Sequence, residues 1–101
     1  MAKKSSIEKN KRRIRLSAQH KNKRDQLRAV ARDRSLPAEE RFAASLKLAA
    51  MPRNGALSRV RNRCEVTGRP HGYYRKLKMS RIALRELGSR GLIPGLVKSS
   101  W

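Results

Sequence analysis

The chain has 101 residues, and its 27 lysines and arginines against 7 aspartates and glutamates give a formal net charge of +20 at pH 7. This length predicts at most one domain, and Leu, Ile, Val and Phe supply only 20 side chains for a core. One cysteine excludes an internal disulfide framework. No apolar run approaches the roughly 18 residues that span a bilayer.

The charge favours a polyanionic partner and is divided unevenly along the chain. Residues 1–35 carry a net +10, residues 36–50 carry zero, and residues 51–101 carry +10. Nucleic acid is favoured over an anionic membrane, because little Trp or Phe is present to face a lipid surface. The N-terminus lacks the apolar stretch of a signal peptide, so we expect a cytoplasmic protein. Self-repulsion predicts that residues 1–35 order only on the partner.

The first predicted element is a long basic helix, because no Pro or Gly interrupts residues 4–34. Its apolar positions form a thin stripe: Ile7, Ile14, Ala18, Leu27, Val30 and Ala31. The eight residues between the two halves of the stripe are all polar, and His20 among them is expected to be neutral and exposed. The basic side chains predicted to contact RNA phosphates here are Arg12, Arg13, Arg15, Lys21, Lys23, Arg24 and Arg28.

A second, shorter helix is predicted between Pro37 and Pro52. Pro37 suits a first turn, the following Glu39 and Glu40 complement the helix dipole, and Pro52 ends the helix. One apolar face is expected to make the main core contact with the end of the first helix: Phe42, Ala43, Leu46, Ala49 and Ala50. With the first helix it forms a basic helical segment, residues 1–52. We expect residues 53–101 to form an RNA-binding module within the same single domain.

A turn at Asn54-Gly55 opens that module and is followed by arginines at alternate positions. In an extended strand Arg59, Arg61 and Arg63 would point to one side and bind a phosphate backbone. The alternative is an exposed charged edge without a partner.

The segment GRPHGYYRK, residues 68–76, mixes cations, flexible glycines and two adjacent aromatics. Such a composition is typical of a surface that binds phosphate and stacks on bases. Neighbouring tyrosines in an extended segment face opposite ways, so one is expected to pack on Leu77 or Leu84 and the other to contact RNA. Which tyrosine does so is open, and both could belong to the core. The RNA-binding residues predicted here are Arg69, His71, Tyr73, Tyr74, Arg75 and Lys76.

The third helix is predicted from Ser80, a good N-cap, to about Arg90, with Gly88 or Gly91 ending it. Its buried side is expected to be Ile82, Ala83, Leu84 and Leu87. An extended tail follows. Arg81 and Arg85 share the opposite side, and they are predicted to bind RNA together with Lys98 and the terminal aromatic Trp101.

The spacing of Cys64, Thr67, Ser80 and Ala83 is that of a zinc ribbon with two knuckles, yet only the first position is a cysteine. One thiolate cannot hold a structural zinc, so we predict no metal and no other cofactor. We expect hydrogen bonds and packing to replace the ion. Catalysis is not expected, because no acid is placed to orient a Cys64–His71 pair, and Cys64 is interpreted as a small buried residue.

These residues carry a resemblance to a known family. RNRC, TGRPHGYYRK, SRI-LRE and the terminal IPG-x5-W pattern closely resemble the bacterial small-subunit ribosomal protein of the S-fourteen family, in its longer zinc-free branch. The resemblance implies a protein in the head of the small subunit, bound to rRNA near the decoding region and beside other head proteins. It implies a mainly α, small and extended fold: a long basic N-terminal helix, a second short helix, a zinc-less ribbon-like loop, a C-terminal helix and an extended tail.

The function expected from residues and resemblance together is that of a structural, non-enzymatic rRNA-binding protein that supports subunit assembly and the decoding site. We expect no small-molecule substrate and no membrane partner. The alternative is a DNA-compacting or regulatory nucleic-acid-binding protein that uses the same charge. A membrane-active cationic peptide is a weaker alternative, against which the weak apolar face of the basic helix already counts.

Overall fold

The computed structural model describes residues 2–100, and its fold is mainly helical, as predicted. The elements in chain order are α1 (Lys4–Arg32), α2 (Ala38–Ala50), two 3₁₀ turns (Arg53–Gly55 and Leu57–Arg59), β1 (Tyr73–Tyr74), β2 (Met79–Ser80) and α3 (Arg81–Ser89). By their contacts the residues group into two compact units, residues 9–60 and residues 2–8 with 61–100. The predicted division between residues 52 and 53 stays a prediction.

In the unit of residues 9–60, α2 runs antiparallel to α1. Arg41 in the first turns of α2 donates from Nε to the carbonyl of Ala31 at 3.4 Å. Beyond the end of α2, the carbonyl of Pro52 accepts a 2.7 Å hydrogen bond from Nη2 of Arg24. As the chain proceeds from Arg41 to Pro52, its contacts on α1 therefore move back from Ala31 to Arg24. The Ala31 carbonyl lies in the last turn of α1 and lacks a helical partner, so Arg41 satisfies a group that would otherwise be orphaned.

The connection between the helices is a tight polar turn, which ends α1 two residues before the predicted Arg34. The carboxylate of Asp33 accepts hydrogen bonds from the hydroxyl of Ser35 at 2.7 Å and from its backbone N–H at 3.0 Å. These bonds lower the pKa of Asp33 below its usual value. A side-chain acceptor that offers the backbone a partner competes with helix continuation.

The face of α2 that packs is the opposite of the predicted one. Ala44 and Met51 are buried and Leu48 is half-buried. The predicted contact residues Phe42 and Leu46 are 66% and 56% exposed. Ala43, Ala49 and Ala50 are exposed as well. The prediction was wrong because it followed side-chain size, whereas the hydrogen bonds of Arg41 to Ala31 and of Arg24 to Pro52 fix which face turns inward.

Half of the predicted apolar stripe of α1 is exposed. Ile14 and Val30 are 47% and 37% exposed, and Ala18 is exposed, while Ile7, Leu27 and Ala31 are half-buried. The α1 positions that are buried or half-buried in this unit lie along one side of the helix and are mainly polar: Asn10, Arg13, Leu16, Ser17, His20, Arg24, Leu27 and Ala31. The helix therefore packs through hydrogen-bonding side chains where apolar ones are missing.

His20 illustrates this polar packing and corrects the expectation that it is exposed. The imidazole is half-buried against the turn at Gly55, where an added Cβ would lie 3.0 Å from His20 Cδ2. Gly55 is itself buried. Because no side chain larger than hydrogen fits there without movement, the backbone of this turn rests directly on α1.

The predicted strand at residues 59–63 is wrong. Arg59 ends a 3₁₀ turn, in which its N–H donates to Ala56 and the N–H of Val60 donates to Leu57, both at 3.1 Å. Residues 60–64 belong to no helix or strand. Local bonds three residues apart satisfy the backbone here, and no neighbouring strand among residues 2–100 pairs with it. The alternating arginines therefore do not form the expected strand face.

In the unit of residues 2–8 and 61–100, a short antiparallel hairpin leads directly into α3. Tyr73 pairs with Ser80 and Tyr74 with Met79, and Lys78 takes a left-handed φ of 54° to close the loop. The predicted third helix is confirmed, with Ser80 as its N-cap and Arg90 as its C-cap. Gly91 follows with a φ of +71°, as a helix-ending glycine does.

The buried side of α3 agrees with the prediction except at one position. Ala83 is 1% exposed, and Leu84 and Leu87 are half-buried, but Ile82 is 40% exposed. Beyond α3 the chain turns at residues 93–96, where the N–H of Leu96 donates to the carbonyl of Ile93 at 3.4 Å. This turn places Leu96 against Gly88 of α3. Within the described residues no helix combines the length and the apolar character that crossing a bilayer requires.

Candidate nucleic-acid interface

The four zinc-ribbon positions come together, and hydrogen bonds connect them. Cys64 is buried, and its sulfur accepts the backbone N–H of Thr67 at 3.5 Å. Ser80 Oγ accepts the N–H of Ala83 at 3.2 Å, and Ser80 is fully buried. These contacts confirm that Cys64 and Ala83 are buried and that Ser80 caps α3. Among residues 2–100 no three His, Cys, Asp or Glu side chains are placed to hold a metal ion.

The sulfur of Cys64 lies in an unusual environment for a single thiol. Burial by itself raises the pKa of Cys64. Hydrogen bonds from the Thr67 hydroxyl and from the backbone N–H groups of Ser80, Thr67 and Val66 lower the pKa by more, so that its net value is about 6. Several donors around one sulfur stabilise the thiolate over the thiol. The hydrogen bonds of the knuckle thus favour the thiolate form of Cys64.

Backbone hydrogen bonds close the loop around Cys64 and join it to the hairpin. The N–H of Cys64 donates to the carbonyl of Arg69 at 3.0 Å, and the N–H of Gly68 donates to the carbonyl of Cys64 at 2.8 Å. The backbone N–H of Glu65 donates to the backbone carbonyl of Lys78 in the hairpin at 3.1 Å. Gly68, with a φ of +78°, is covered by the first turn of α1, and an added Cβ would lie 2.6 Å from Ile7 Cδ1. This network joins the loop around Cys64 to the hairpin and to the first turn of α1.

The hairpin separates the two tyrosines, as expected for neighbours in an extended segment. Tyr73 is half-buried, whereas Tyr74 is 50% exposed. The predicted RNA-binding residues beside them, His71, Arg75 and Lys76, are all exposed. Arg81 lies across Gly72, where an added Cβ would be 3.1 Å from Arg81 Cδ, and the N–H of Arg81 donates to the Gly72 carbonyl at 2.7 Å. The glycine therefore lets a cationic side chain lie over the loop.

A cleft between α3, the hairpin and the tail collects several of the predicted residues. Its lining includes Tyr74, Arg81, Arg85 and Lys98, with Leu96 as an apolar contribution. Arg90 also lines the cleft and was not among the RNA-binding residues predicted from the sequence. Glu86 is the one acid in the lining. An exposed aromatic ring among four cations suits a nucleotide base and its neighbouring phosphates.

Several of the predicted arginines make contacts within the protein or are half-buried. Arg13 donates to Asn54 Oδ1 at 3.4 Å, Arg24 to Pro52 and Arg63 to the Gly68 carbonyl at 3.0 Å. Arg69 is half-buried, and the Nε atoms of Arg24, Arg63 and Arg69 are buried without a hydrogen-bond partner among the described residues. Arg13, Arg24 and Arg63 therefore each make a hydrogen bond within the protein, the first two to the turn at residues 52–54 and the third to the loop at Gly68.

The remaining predicted cations are exposed. In α1 they are Arg12, Arg15, Lys21, Lys23 and Arg28, and beyond α2 they are Arg59 and Arg61. Arg28 lies 3.7 Å from Asp25 in an exposed ion pair, which contributes little to stability and leaves the guanidinium accessible. That these residues bind RNA stays a prediction. Trp101, predicted as an anchor, lies outside the described residues.

Comparison with known proteins adds an independent finding. The family model described as "Ribosomal protein S14p/S29e" matches residues 47–100. Proteins named "Small ribosomal subunit protein uS14" are similar over all 101 residues and over their own full length. The identity is 68% for Xanthobacter autotrophicus, 70% for Azorhizobium caulinodans and 67% for Rhodospirillum centenum. The match includes the knuckle loop, the hairpin, α3 and the tail.

Proposed function

The chain belongs to the ribosomal protein S14p/S29e family, and from this we propose that it binds small-subunit rRNA in the subunit head as a structural protein. It is a ribosomal constituent of a family of structural proteins, not of enzymes. In the proposed role it neutralises closely packed phosphates, supports subunit assembly and the architecture of the decoding site, and contacts neighbouring head proteins in the cytoplasmic ribosome. The family resemblance of TGRPHGYYRK and the terminal IPG motif supports the placement in the head.

The observation that carries the proposal is the cleft beside α3. Tyr74, Arg81, Arg85 and Lys98 come from separate parts of the chain and line one surface. Aromatic stacking on bases is worth roughly 1–3 kcal/mol per base, and it tolerates any base because each has a π-face. Cations around the ring contact phosphates, which fix position without reading sequence. The cleft thus supports a single-stranded or junction element of folded rRNA as ligand.

The exposed cations of α1 support a second, less specific part of the interface. Arg12, Arg15, Lys21 and Lys23 lie on one helix, where they can follow a phosphate backbone. Such contacts release counterions from RNA and make binding steeply dependent on salt. They supply affinity for any polyanion, whereas the cleft supplies preference for a folded rRNA element.

The test is binding at matched salt together with crosslinking on assembled subunits. The full chain should prefer a folded small-subunit rRNA fragment to duplex DNA and to a scrambled RNA of equal length. In purified small subunits, ultraviolet crosslinks to rRNA should come from the hairpin and α3 around Tyr74. Equal affinity for duplex DNA, or crosslinks confined to segments away from the cleft, would reject the proposal in favour of a general nucleic-acid-binding protein.

A further inference from the structure

One surface of α2 combines exposed apolar side chains with an acidic residue. Glu39, Phe42, Leu46 and Ala50 follow one another at intervals of three or four residues, and Ala49 lies three residues after Leu46. All five share the side of the helix opposite to the buried Ala44. We refer to these five residues as the α2 ridge. All five are exposed, with Phe42 at 66% and Leu46 at 56%.

The α2 ridge exposes apolar side chains that could have been buried in the core. The chain has a single Phe, and only 20 Leu, Ile, Val and Phe residues in all. Yet α2 turns Ala44 inward and leaves Phe42 and Leu46 outside. Phe42 and Leu46 lie about one helical turn apart on one exposed helix face, and such a contiguous apolar face indicates a surface that another molecule covers.

Charge distinguishes the kind of molecule. Residues 36–50 have no net charge, although the segments on either side carry +10 each. The α2 ridge itself carries one ionisable residue, Glu39, which is acidic and exposed. A carboxylate beside the contact repels phosphates, so the ridge is unsuited to RNA. It is suited to a surface that offers apolar side chains and a positive rim.

We propose that the α2 ridge docks into an apolar groove on a neighbouring protein of the small subunit, with a lysine or arginine at the groove rim facing Glu39. Phe42 and Leu46 are the anchors, at the spacing by which an amphipathic helix fills a groove, and Ala49 and Ala50 let the partner approach closely. The proposal rests on the proposed function, because the partner is a protein of the subunit. In this arrangement α1 and the cleft contact RNA, while α2 connects the chain to protein.

Crosslinking inside purified small subunits tests which class of molecule covers the ridge. The photoreactive residue p-benzoylphenylalanine is placed at position 42, and at position 40 as the control, since Glu40 is exposed on the same helix but off the ridge. Position 42 should crosslink to one subunit protein, through a peptide with apolar residues and a Lys or Arg, and position 40 should not give that product. A crosslink from position 42 to rRNA, or none in subunits that contain the chain, overturns the proposal.

Charge reversal gives a second test with a matched control. Glu39→Lys and Glu40→Lys change net charge equally, so general affinity for RNA should rise equally in both. In competition with the unaltered chain during subunit assembly, Glu39→Lys should be incorporated several-fold less, and Phe42→Ala with Leu46→Ala on the order of tenfold less. Glu40→Lys should be incorporated like the unaltered chain. Equal incorporation of Glu39→Lys and Glu40→Lys overturns the proposal.

Binding of each variant to the rRNA fragment separates this proposal from the proposed function. The double alanine variant should bind the fragment as the unaltered chain does, because its two substitutions lie outside the cleft and are exposed. Normal rRNA binding with reduced incorporation supports the α2 ridge as a protein contact. Absence of the unaltered chain from small subunits would instead reject the proposed function, and this proposal with it.

Discussion

Ser80 Oγ accepts a hydrogen bond from the backbone N–H of Ala83 at 3.2 Å, and the two residues are 0% and 1% exposed. They occupy the second pair of positions in a ribbon whose spacing fits a zinc site. A hydroxyl that caps a helix satisfies one of its free N–H groups, and a buried methyl fills the space next to it. A hydrogen bond and packing thus do at this knuckle what a metal ion does in a zinc ribbon.

The chain should therefore bind no zinc. Metal analysis of purified small subunits and of the isolated chain should find no stoichiometric zinc in this protein. The variant Thr67→Cys, Ser80→Cys, Ala83→Cys restores four thiols at the ribbon spacing and serves as the positive control, which should take up zinc. Stoichiometric zinc in the unaltered chain, with loss of structure on chelation, would contradict the prediction.

Cys64 should make stability dependent on pH between about 6 and 9. Its pKa is lowered from 9.0 to about 6 in the folded chain. Because the folded value is the lower one, the stabilisation is fully present above the unfolded pKa and is lost as pH falls through about 6. The free energy of unfolding should rise by at most about 1.4 kcal/mol per pH unit in this window.

Two measurements check this dependence. Thiolate absorbance should titrate near pH 6 in the folded chain and near pH 9 in denaturant, and urea unfolding of Cys64→Ala should lose the slope between these values. A folded-state thiol that titrates near its ordinary pKa would show that the N–H groups around the sulfur do not stabilise the thiolate.

Gly68 should tolerate no side chain, and Gly95 provides the comparison. Their φ angles are +78° and +76°, but a Cβ at Gly68 would lie 2.6 Å from Ile7 Cδ1, whereas nothing lies within 4 Å of one at Gly95. Gly95→Ala should cost roughly 1–2 kcal/mol for the left-handed backbone, and Gly68→Ala about 1–3 kcal/mol more for the overlap. Hydrogen exchange of the amide protons at residues 64–83 measures the resulting loss of stability.

Shortening the opposing side chain should relieve that overlap. In the double variant Gly68→Ala with Ile7→Ala, the loss of amide protection should be smaller than the sum of the losses in the two single variants. The reason is that the cavity left at position 7 accepts the new methyl group. Strict additivity would show that the backbone angle alone makes Gly68 necessary.

The arginines of α1 should divide into two classes in RNA binding. Replacing exposed Arg12 and Arg15 by Gln should flatten the log–log salt dependence by roughly 0.7–0.9 per residue and weaken binding to any RNA similarly. Arg24→Gln should change the slope less and should instead loosen the turn at Pro52, which its guanidinium holds at 2.7 Å. Titrations at several salt concentrations measure the slopes. An equal change of slope in all three positions would show that Arg24 also contacts phosphate.

The two tyrosines should also behave differently. Tyr74→Leu keeps the charge and removes stacking, so it should cost about 1–3 kcal/mol with the rRNA fragment, less with scrambled RNA, and leave the salt slope unchanged. Tyr73, which is half-buried, should affect the stability of the hairpin when changed to Leu. Affinity titrations and thermal unfolding separate the two effects. If Tyr74→Leu weakens binding to the rRNA fragment and to scrambled RNA equally, the hairpin only supports the fold and RNA recognition lies elsewhere.

Local signals in the sequence predicted the elements with close boundaries. The absence of Pro and Gly indicated α1, Pro37 and Pro52 bracketed α2, and Ser80 and Gly91 marked the ends of α3. Each of these residues acts on its own backbone, through a fixed φ, a missing N–H, a capping hydroxyl or a left-handed angle. Short-range causes of this kind can be read without knowing what the helix packs against.

The packing faces could not be predicted in the same way. Phe42 and Ile14 are exposed, while Ser17 is buried and His20 half-buried, the reverse of a hydrophobic pattern. The faces follow from hydrogen bonds between distant residues, such as Arg24 to Pro52. The strand expected at Arg59 is absent from the described chain for a related reason, because a strand needs a partner that the sequence of the segment cannot specify.

The sequence by itself determined the helices, the charge that calls for a polyanion, the family resemblance and the loss of three zinc ligands. Only the tertiary structure decided that Arg13 and Arg24 make contacts within the protein, that Tyr74 is the more exposed tyrosine, and that Phe42 faces outward. The physical reason is the scarcity of apolar side chains. Because there is so little hydrophobic area to bury, polar contacts between residues far apart in the chain determine which face of each helix packs inward.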